Sequence, residues 1–266
     1  MGNDDVIGAR HVEAQRLRAL LRDSAVRRKE RAYVLEGPRL VADAIRREAD
    51  IETIYVALGT RKAFPELMAT AHDAEIRICE LKDGVLEKLG TTRTPQPVLA
   101  IVPMPDEPAA LSGNAPVLVL VGVSDPGNLG TLLRTAEASG AEAVICCGDT
   151  VDPFNPKVVR SSAGSILSVP VLQFPDPCAA LDGLAAQGRR RIGTSSFGER
   201  SYGEADLRGG VAIVLGSEAH GLPADVRAHI DEWVTIPMAG ETESINLAVA
   251  GSVLCFEAAR QRSQEI

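Results

Sequence analysis

Three segments of the sequence place polar side chains and turn-forming residues directly after a predicted strand. They are VSDPGNLGTLLR (123–134), LGSEAHGLP (215–223) and IPMAGETESINL (236–247). Ligands of α/β proteins bind at the carboxyl ends of the strands, so each segment is a candidate part of a ligand site. The amide, carboxylate, hydroxyl and guanidinium groups in these segments are suited to orienting a polar substrate and stabilising charge.

The candidate side chains in the first two segments also have ordinary structural explanations. Asn128 is placed to cap a helix, and Arg134 lies about two turns into that helix, where a solvated surface arginine is the alternative. Gly216 ends an apolar run and permits a close backbone approach, and Glu218 follows it in a strand-to-turn exit. Alone, neither segment identifies a function.

The third segment places Ser244 and Asn246 at the start of a long apolar stretch. Side-chain capping of a helix explains both residues, although the free N–H groups of a helix start also suit the acceptor atoms of a ligand. The signatures GxGxxG, GxxxxGK[ST] and GxSxG do not occur in the sequence. Their absence argues against a dinucleotide-dependent oxidoreductase, a P-loop and a serine-hydrolase elbow.

The elements that position these segments alternate between strands and helices, which predicts an α/β architecture in both halves of the chain. In the first half we expect helices over 10–23 and 38–48 and strands at 33–35, 51–57, 76–79 and 98–102. In the second half we expect strands at 117–123, 143–147, 169–172, 191–194, 211–215 and 233–236, with helices over 129–139, closed by Gly140, and 244–262. The last helix is apolar on most sides, which predicts burial from two directions.

A proline-rich stretch divides the chain. Four prolines between 103 and 116 exclude regular structure there. We therefore predict a domain over 1–105, a linker over 106–114 and a second domain over 115–266. Charge divides at the same place: residues 1–105 carry a net charge of +1 and the remainder −9, within a total of −8. Residues 10–31 are strongly basic and predict an RNA-binding arm.

Composition limits the remaining classes. Aromatic residues make up 3% of the chain, which argues against recognition of nucleic acid by stacked bases. The five cysteines include no CxxC pair and the four histidines are scattered, so we expect reduced, buried thiols and no metal. No apolar run is long enough to span a bilayer, and the amino terminus has no secretory signal. We expect a cytoplasmic protein with no membrane partner.

The order and spacing of the three segments resemble one known family. DPxNxGxxxR, then LGxExxGL, then IPM followed by SINL and a long final helix are similar to the three motifs of the SpoU, or TrmH, RNA ribose 2′-O-methyltransferases. The resemblance covers residues 115–262. A shorter resemblance, YVLEGPR (33–39), is to the substrate-binding domain of the ribosomal RNA members, which is similar in fold to ribosomal protein L30e.

The resemblance implies a fold, a partner and a methyl donor. It implies an L30e-like α/β domain followed by a SPOUT α/β domain with a deep carboxyl-terminal trefoil knot, and a homodimer through the last helix. The implied methyl donor is S-adenosylmethionine, held mostly by backbone groups. The donor-binding positions carried over by motif are Thr194, Gly216, Ser217, Ile236, Met238, Ser244, Ile245 and Leu247.

The implied reaction is attack of a ribose 2′-oxygen on the methyl group of this donor. The resemblance assigns activation of the 2′-hydroxyl to Arg134, with Asn128, Glu218, Ser244 and Asn246 as supporting residues. A guanidinium is a poor base, so two hypotheses stay open. In one, burial beside the sulfonium makes Arg134 neutral; in the other, which we favour, Arg134 stays charged, orients a phosphate and stabilises the developing alkoxide.

The implied RNA contacts are basic. The predicted RNA-binding residues are Arg27, Arg28, Lys29, Arg31, Arg39 and Arg160, the last with a solvated helix arginine as its alternative. The leading hypothesis is a methyltransferase of 23S ribosomal RNA, with antibiotic resistance as an open role. The alternatives are a transfer RNA methyltransferase and a catalytically silent RNA-binding protein.

Overall fold

A computed structural model describes residues 6–89, 95–106, 111, 113–195 and 200–264. These residues form two compact units, each built from two stretches of chain. Unit 1 comprises residues 1–106 and 154–167, and unit 2 comprises residues 107–153 and 168–266. Most of the predicted linker, residues 107–110 and 112, lies outside the described residues.

The helices and strands follow the predicted α/β alternation. Up to residue 106 the order is β1 (Val6–Ile7), α1 (Val12–Arg22), α2 (Ser24–Glu30), β2 (Ala32–Glu36), α3 (Pro38–Arg46), β3 (Thr53–Ala57), a 3₁₀ turn (Arg61–Ala63), α4 (Pro65–Asp73), β4 (Ile78–Leu81), α5 (Val85–Leu89) and β5 (Val98–Pro103). From residue 113 onward it continues with β6 (Val117–Val121), α6 (Pro126–Ser139), β7 (Ala143–Cys147), α7 (Pro156–Ser161), a 3₁₀ turn (Ser165–Leu167), β8 (Val171–Phe174), α8 (Pro177–Ala186), β9 (Arg190–Thr194), β10 (Arg200–Ser201), β11 (Val211–Leu215), α9 (Ala224–Arg227), β12 (Glu232–Thr235) and α10 (Leu247–Ser263).

Unit 1 is built on a five-stranded sheet with the order β1-β4-β3-β5-β2. Strand β5 pairs antiparallel with both β2 and β3, and the other pairs are parallel. The basic stretch 10–31 is not an extended arm. It folds into α1 and α2, because Ala14, Leu17, Leu20 and Leu21 of α1 belong to the core beneath the sheet.

Strand β2 is an edge strand, yet all five of its residues are buried. Residues 154–167 cover it: the ring of Phe154 lies 4.9 Å from that of Tyr33, and Arg160 Nη1 lies 2.9 Å from Glu36 Oε1. Covering an edge strand removes a template for unwanted strand pairing. A stretch within the predicted second domain therefore completes the fold of unit 1, which the sequence-based boundary at 105 did not anticipate.

Unit 2 is built on a seven-stranded sheet with the order β10-β12-β9-β11-β6-β7-β8, and all of its strand pairs are parallel. The central strands β6, β7 and β11 are buried along their whole length. Burial on both faces explains their continuous apolar sequences. Because the strands are parallel, their carboxyl ends lie along a single edge of the sheet.

Two helix starts differ from the sequence-based prediction. Helix α6 begins at Pro126, because the Asp125 carboxylate accepts a hydrogen bond from the backbone N–H of Asn128 and is the N-cap. The prediction that Asn128 itself caps this helix was wrong. Helix α10 begins at Leu247, with Asn246 as its N-cap. The predicted end of α6 at Gly140, in the left-handed conformation with φ of 68°, is confirmed.

Helix α10 packs against α6 and β11 through Gly251. A Cβ atom at this position would lie 2.5 Å from Leu132 Cδ2 and 2.7 Å from Leu215 Cδ1. At the next position of α10, the Ser252 hydroxyl lies 2.7 Å from the Thr135 hydroxyl of α6. Elsewhere on α10, Val249 and Phe256 are each 50% exposed.

The cysteines and the helix lengths add two findings. Cys79, Cys146, Cys147 and Cys255 are buried, and burial raises the pKa of Cys147 and of Cys255 to about 12, so both remain thiols at neutral pH. No helix in the described ranges has the length and apolar character required to cross a bilayer.

The packing at Gly251 predicts that alanine substitutions at two helical glycines will affect the free energy of unfolding differently. Gly251→Ala forces α10 away from Leu132 and Leu215, and we expect it to lower the free energy of unfolding by about 1–3 kcal/mol. Gly183 lies in α8 with open space where a Cβ atom would be added, so Gly183→Ala serves as the control and should be neutral or stabilising by up to about 1 kcal/mol. Denaturant unfolding measures both variants, and equal effects would contradict this packing.

Candidate active site

Three of the predicted cofactor-binding residues lie at the carboxyl edge of the unit 2 sheet. Thr194 ends β9, Gly216 follows β11 and Ile236 follows β12. Strand β9 pairs with both neighbours, Gly193 opposite Val214 of β11 and Thr194 opposite Val234 of β12. The three residues therefore lie on adjacent strands at one edge.

A tight loop follows β11. Ser217 and Gly221 form an antiparallel bridge, with Ser217 N–H donating to the Gly221 carbonyl at 3.1 Å and Gly221 N–H to the Ser217 carbonyl at 2.9 Å. A Cβ atom on Gly216 would overlap the backbone of Gly221 and Leu222. The close approach that this glycine permits is thus made by the chain's own backbone, and the loop presents Glu218 to solvent.

The start of α10 fixes Asn246. The Asn246 side-chain oxygen accepts hydrogen bonds from Ala248 N–H at 2.9 Å and Val249 N–H at 3.2 Å. Its Nδ2 group donates to Asn128 Oδ1 at 3.0 Å. The capping role expected for this residue is therefore combined with a contact to the first turn of α6.

Asn128 continues the chain of hydrogen bonds. Its Nδ2 donates to Glu218 Oε1 at 2.6 Å. Three residues taken from three separate sequence motifs, Asn246, Asn128 and Glu218, thereby form one hydrogen-bonded relay. The relay joins the starts of α6 and α10 to the loop after β11.

Arg134 and Ser244 are not part of this relay. Arg134 is exposed on α6, and within the described ranges its guanidinium forms no hydrogen bond or ion pair. Ser244 is exposed before α10 and likewise has no hydrogen-bond partner in that part of the chain. Both side chains remain accessible to a substrate.

The stretch between β12 and α10 fits a nucleoside-containing methyl donor. The side chains of Ile236, Met238, Ile245 and Leu247 are half-buried. The backbone N–H groups of residues 238–245 have no acceptor among the residues that the structure describes. Apolar faces beside unused backbone donors suit an adenine ring, whose flat faces are apolar and whose edge accepts and donates hydrogen bonds.

The sequence-based reasoning missed Thr150. Its hydroxyl oxygen accepts hydrogen bonds from Gly122 N–H at 3.0 Å and Val123 N–H at 3.3 Å. The same hydroxyl donates a hydrogen bond to the Cys147 carbonyl at 2.7 Å. Thr150 thus ties the loop that leads into α6 to the end of β7. A threonine after a strand carries no distinctive motif, so its role emerges only once the two strands are known to be neighbours.

The predicted RNA-binding residues in unit 1 fall into two groups. Arg27 is only 3% exposed and its Nη1 donates to the Leu20 carbonyl at 2.6 Å, so the prediction that it contacts RNA is not retained. Arg160 is paired with Glu36, whose side chain is 5% exposed, and Arg31 donates to the Pro105 carbonyl at 3.0 Å. Each of these three arginines is therefore held by contacts within unit 1, although the side chain of Arg31 is still 54% exposed.

Arg28, Lys29 and Arg39 form the second group. All three are exposed and, within the described part of the chain, have no hydrogen-bond or ion-pair partner. By contrast, Arg16 is held by Glu30 and Glu52. Arg28, Lys29 and Arg39 are the candidates that remain for phosphate contacts. As for metals, no group of three or more His, Cys, Asp or Glu side chains in the described ranges is arranged to hold an ion.

Comparison with known proteins agrees with both units. The SpoU rRNA Methylase family matches residues 115–256, and the MRM3-like substrate binding domain matches residues 14–100. The 23S rRNA (guanosine(2553)-2′-O)-methyltransferase RlmP of Bacillus subtilis is 33% identical over 230 residues, which cover 86% of this chain and 89% of that protein. The 23S rRNA (guanosine-2′-O-)-methyltransferase RlmB of Ralstonia nicotianae is 33% identical over 242 residues, with 88% and 97% coverage.

Comparison with a solved structure shows that the similarity covers nearly the whole fold. The SpoU methyltransferase AviRb of Streptomyces viridochromogenes, in complex with AdoMet, superimposes with a TM-score of 0.84 at 28% identity, over 95% of this chain and 98% of that one. Its cofactor is the one expected from the motifs. The family match covers more than half of the sequence, and the chain belongs to the SpoU rRNA methylase family.

Proposed function

We propose that this protein transfers a methyl group from S-adenosylmethionine to a ribose 2′-hydroxyl of 23S ribosomal RNA. The observation that carries the proposal is the relay of Asn246, Asn128 and Glu218, which unites the three motif segments at one edge of the unit 2 sheet. The relatives named as 23S rRNA 2′-O-methyltransferases cover most of this chain, including unit 1. That coverage favours ribosomal RNA over transfer RNA as the substrate.

The methyl donor binds at the carboxyl edge of the sheet. Gly216 and Thr194 supply backbone at the ends of β11 and β9. Apolar contacts come from Ile236, Met238, Ile245 and Leu247, and unused backbone N–H groups come from residues 238–245. Ser217 and Ser244 add hydroxyl groups at the rim. When bound, S-adenosylmethionine supplies an electrophilic methyl group on a sulfonium sulfur.

Arg134 orients the RNA and stabilises charge. A guanidinium stays protonated at physiological pH and presents a planar pair of donors that matches a phosphate. In this role it holds the target phosphate in place and offsets the negative charge that develops on O2′. Fixed donors aimed at developing charge are among the strongest contributions to catalysis.

The active unit is a homodimer. Val249 and Phe256 form an apolar face on α10 that is half exposed in the single chain, and burial of this face against a second copy removes it from water. Arg134 has no partner in the described part of its own chain, which fits a role at the site of the partner subunit.

Arg28, Lys29 and Arg39 supply affinity for the RNA backbone. These three side chains are the exposed cations of the predicted set that no described acidic group neutralises. Contacts to phosphates strengthen binding without reading sequence. These exposed cations also explain how an acidic protein can bind a polyanion, because the net charge of −8 is not spread evenly over the chain.

The proposed role of Arg134 predicts a specific pattern in two variants. Arg134→Ala and Arg134→Lys should each lower kcat for methylation of in vitro transcribed 23S RNA by about 100-fold or more, because neither retains the planar fork. Binding of S-adenosylmethionine, measured by calorimetry, should be unchanged. Thr131→Ala, an exposed change on the same helix, is the control. Near-full activity of Arg134→Lys with a lower pH optimum would show that Arg134 acts as a base instead.

The proposed phosphate contacts predict a change in the salt dependence of RNA binding. Combined replacement of Arg28, Lys29 and Arg39 by serine should weaken RNA binding. It should also flatten the plot of log K against log salt concentration by about 1 for each phosphate that the variant no longer neutralises. Arg46→Ser is the control, because Arg46 is already paired with Asp43. An unchanged slope, measured by filter binding from low to high salt, would exclude these residues as phosphate contacts.

A further inference from the structure

Residues 154–167, here named the crossing segment, belong to unit 1 although they lie between two strands of the unit 2 sheet. The chain leaves that sheet at the end of β7 and returns to it at β8, and in between it clusters with unit 1. Helix α7 packs along β2. Four apolar side chains of the segment are at most 3% exposed, namely Phe154, Val158, Val159 and Ile166. Burial of apolar surface is therefore the main force that holds the segment in place.

A buried ion pair fixes the middle of the crossing segment. Arg160 Nη1 lies 2.9 Å from Glu36 Oε1, and the two side chains are 26% and 5% exposed. Glu36 is the last residue of β2, so the pair joins α7 to the edge strand that the segment covers. Removal of one member of a buried pair is strongly destabilising, whereas replacement of both members by apolar side chains is often neutral. Docking of the segment is therefore sensitive to the loss of either residue alone.

Close packing fixes the crossing segment near its carboxyl end. Gly164 has a φ of 99°, and a Cβ atom at this position would lie 2.5 Å from Asp43 Oδ2 and 3.8 Å from Leu40 Cδ1. Asp43 is itself held by Arg47, whose Nε lies 3.2 Å from the same Oδ2 atom. Glycine permits both this backbone conformation and this approach. The segment is thus held along its length and not at a single point.

The residues just before the crossing segment hold the loop that leads into α6. The Thr150 hydroxyl accepts hydrogen bonds from the backbone N–H groups of Gly122 and Val123. Val151 N–H donates to the Val123 carbonyl at 2.8 Å. The loop, residues 122–124, continues directly into the N-cap of α6. Its position therefore depends on Thr150 and Val151.

The connection from these residues to the crossing segment is short. Only Asp152 and Pro153 separate Val151 from Phe154. Two residues of extended chain span at most about 7 Å, and proline restricts the backbone further. Loss of docking at the crossing segment therefore removes a restraint that acts on Val151, and through it on the loop.

We propose that the crossing segment is a coupling element: its docking on unit 1, through Glu36 and Arg160, holds the loop 122–124 in the position required for methyl transfer. Glu36 and Arg160 are positioning residues in this arrangement. Unit 1 then contributes to the rate of transfer as well as to RNA binding. The effect on the rate rests on the proposed function, whereas the effect on the loop does not.

Hydrogen exchange in the full-length chain, without RNA or methyl donor, tests the effect on the loop. In Arg160→Met, exchange of the N–H groups of Gly122 and Val123 should become faster by about 10-fold or more, because local opening is easier. Exchange at Ile213, in the buried strand β11, should be unchanged. Lys157→Met, an exposed change on the same helix, is the control and should match the wild type.

Two results of this measurement would overturn the proposal. One is wild-type exchange at Gly122 and Val123 in Arg160→Met. The other is equal acceleration at Ile213, which would assign the effect to a general loss of stability.

The double variant Glu36→Met, Arg160→Met separates docking from a contact of Arg160 with RNA. Because it replaces the buried pair by apolar side chains, exchange at Gly122 and Val123 should return to the wild-type rate. At saturating 23S RNA, Arg160→Met should lower the single-turnover rate of methyl transfer by about 10-fold or more, with binding of RNA and S-adenosylmethionine unchanged. The double variant should restore that rate. Weaker RNA binding by both variants, without recovery of the rate, would assign Arg160 to an RNA phosphate and contradict the coupling.

Gly164→Ala gives an independent result, which decides the question if Arg160→Met does not fold. It displaces the crossing segment from α3 without altering a charge, so exchange at Gly122 and Val123 should again become faster. Gly188→Ala is the control for backbone strain, because Gly188 also has a positive φ, 77°, but open space where a Cβ atom would be added. Wild-type exchange at the loop in a folded Gly164→Ala variant would refute the coupling.

These measurements distinguish failure of the coupling from failure of the proposed function. Absence of methyl transfer by the wild-type chain to 23S RNA would reject the function and leave the exchange results unaffected. Wild-type transfer together with unchanged exchange at the loop in Arg160→Met and Gly164→Ala would reject the coupling alone.

Discussion

The close packing of α10 at Gly251 is the constraint on which the candidate site depends. With no side chain at this position, α10 lies directly on Leu132 of α6 and Leu215 of β11. This contact places the start of α10 beside the start of α6, at the carboxyl edge of the parallel sheet. A larger residue would separate the two helices and with them the polar groups at their first turns, since packed interiors have no free space to absorb the change.

Local hydrogen bonds convert this proximity into a defined arrangement of atoms. Asp125 caps α6 and leaves the Asn128 side chain free for other contacts, while Asn246 caps α10 and turns its amide toward Asn128. Thr150 holds the loop that enters α6. The exposed side chains of Glu218 and Arg134 project from this scaffold. Positions held by secondary structure are more accurate than positions on free loops, and the relay gives the loop residue Glu218 the same support.

The sequence allowed the elements and the motifs of unit 2 to be predicted well, because buried parallel strands such as 143–147 are continuous apolar runs with clear boundaries. The contacts between motifs were not predictable: that Asn128 bonds to Glu218, 90 positions away, depends on strand order. Arg27 was misjudged because an arginine in a basic stretch gives no sign of burial. The carboxyl-terminal knot implied by the resemblance stays a prediction. The domain boundaries also stay a prediction, and residues 154–167, which the sequence-based boundary placed in the second domain, cluster with unit 1.

Because this chain methylates a ribose 2′-hydroxyl of ribosomal RNA, its loss should leave one nucleotide of that RNA unmodified. Primer extension at limiting nucleotide concentration maps such groups on 23S ribosomal RNA from a strain that lacks the chain and from its parent. We predict a stop at one nucleotide in the parent that is absent from the deletion strain and restored by the wild-type chain but not by Arg134→Ala. Identical patterns of 2′-O-methylation in the parent and the deletion strain would show that this chain does not methylate 23S ribosomal RNA.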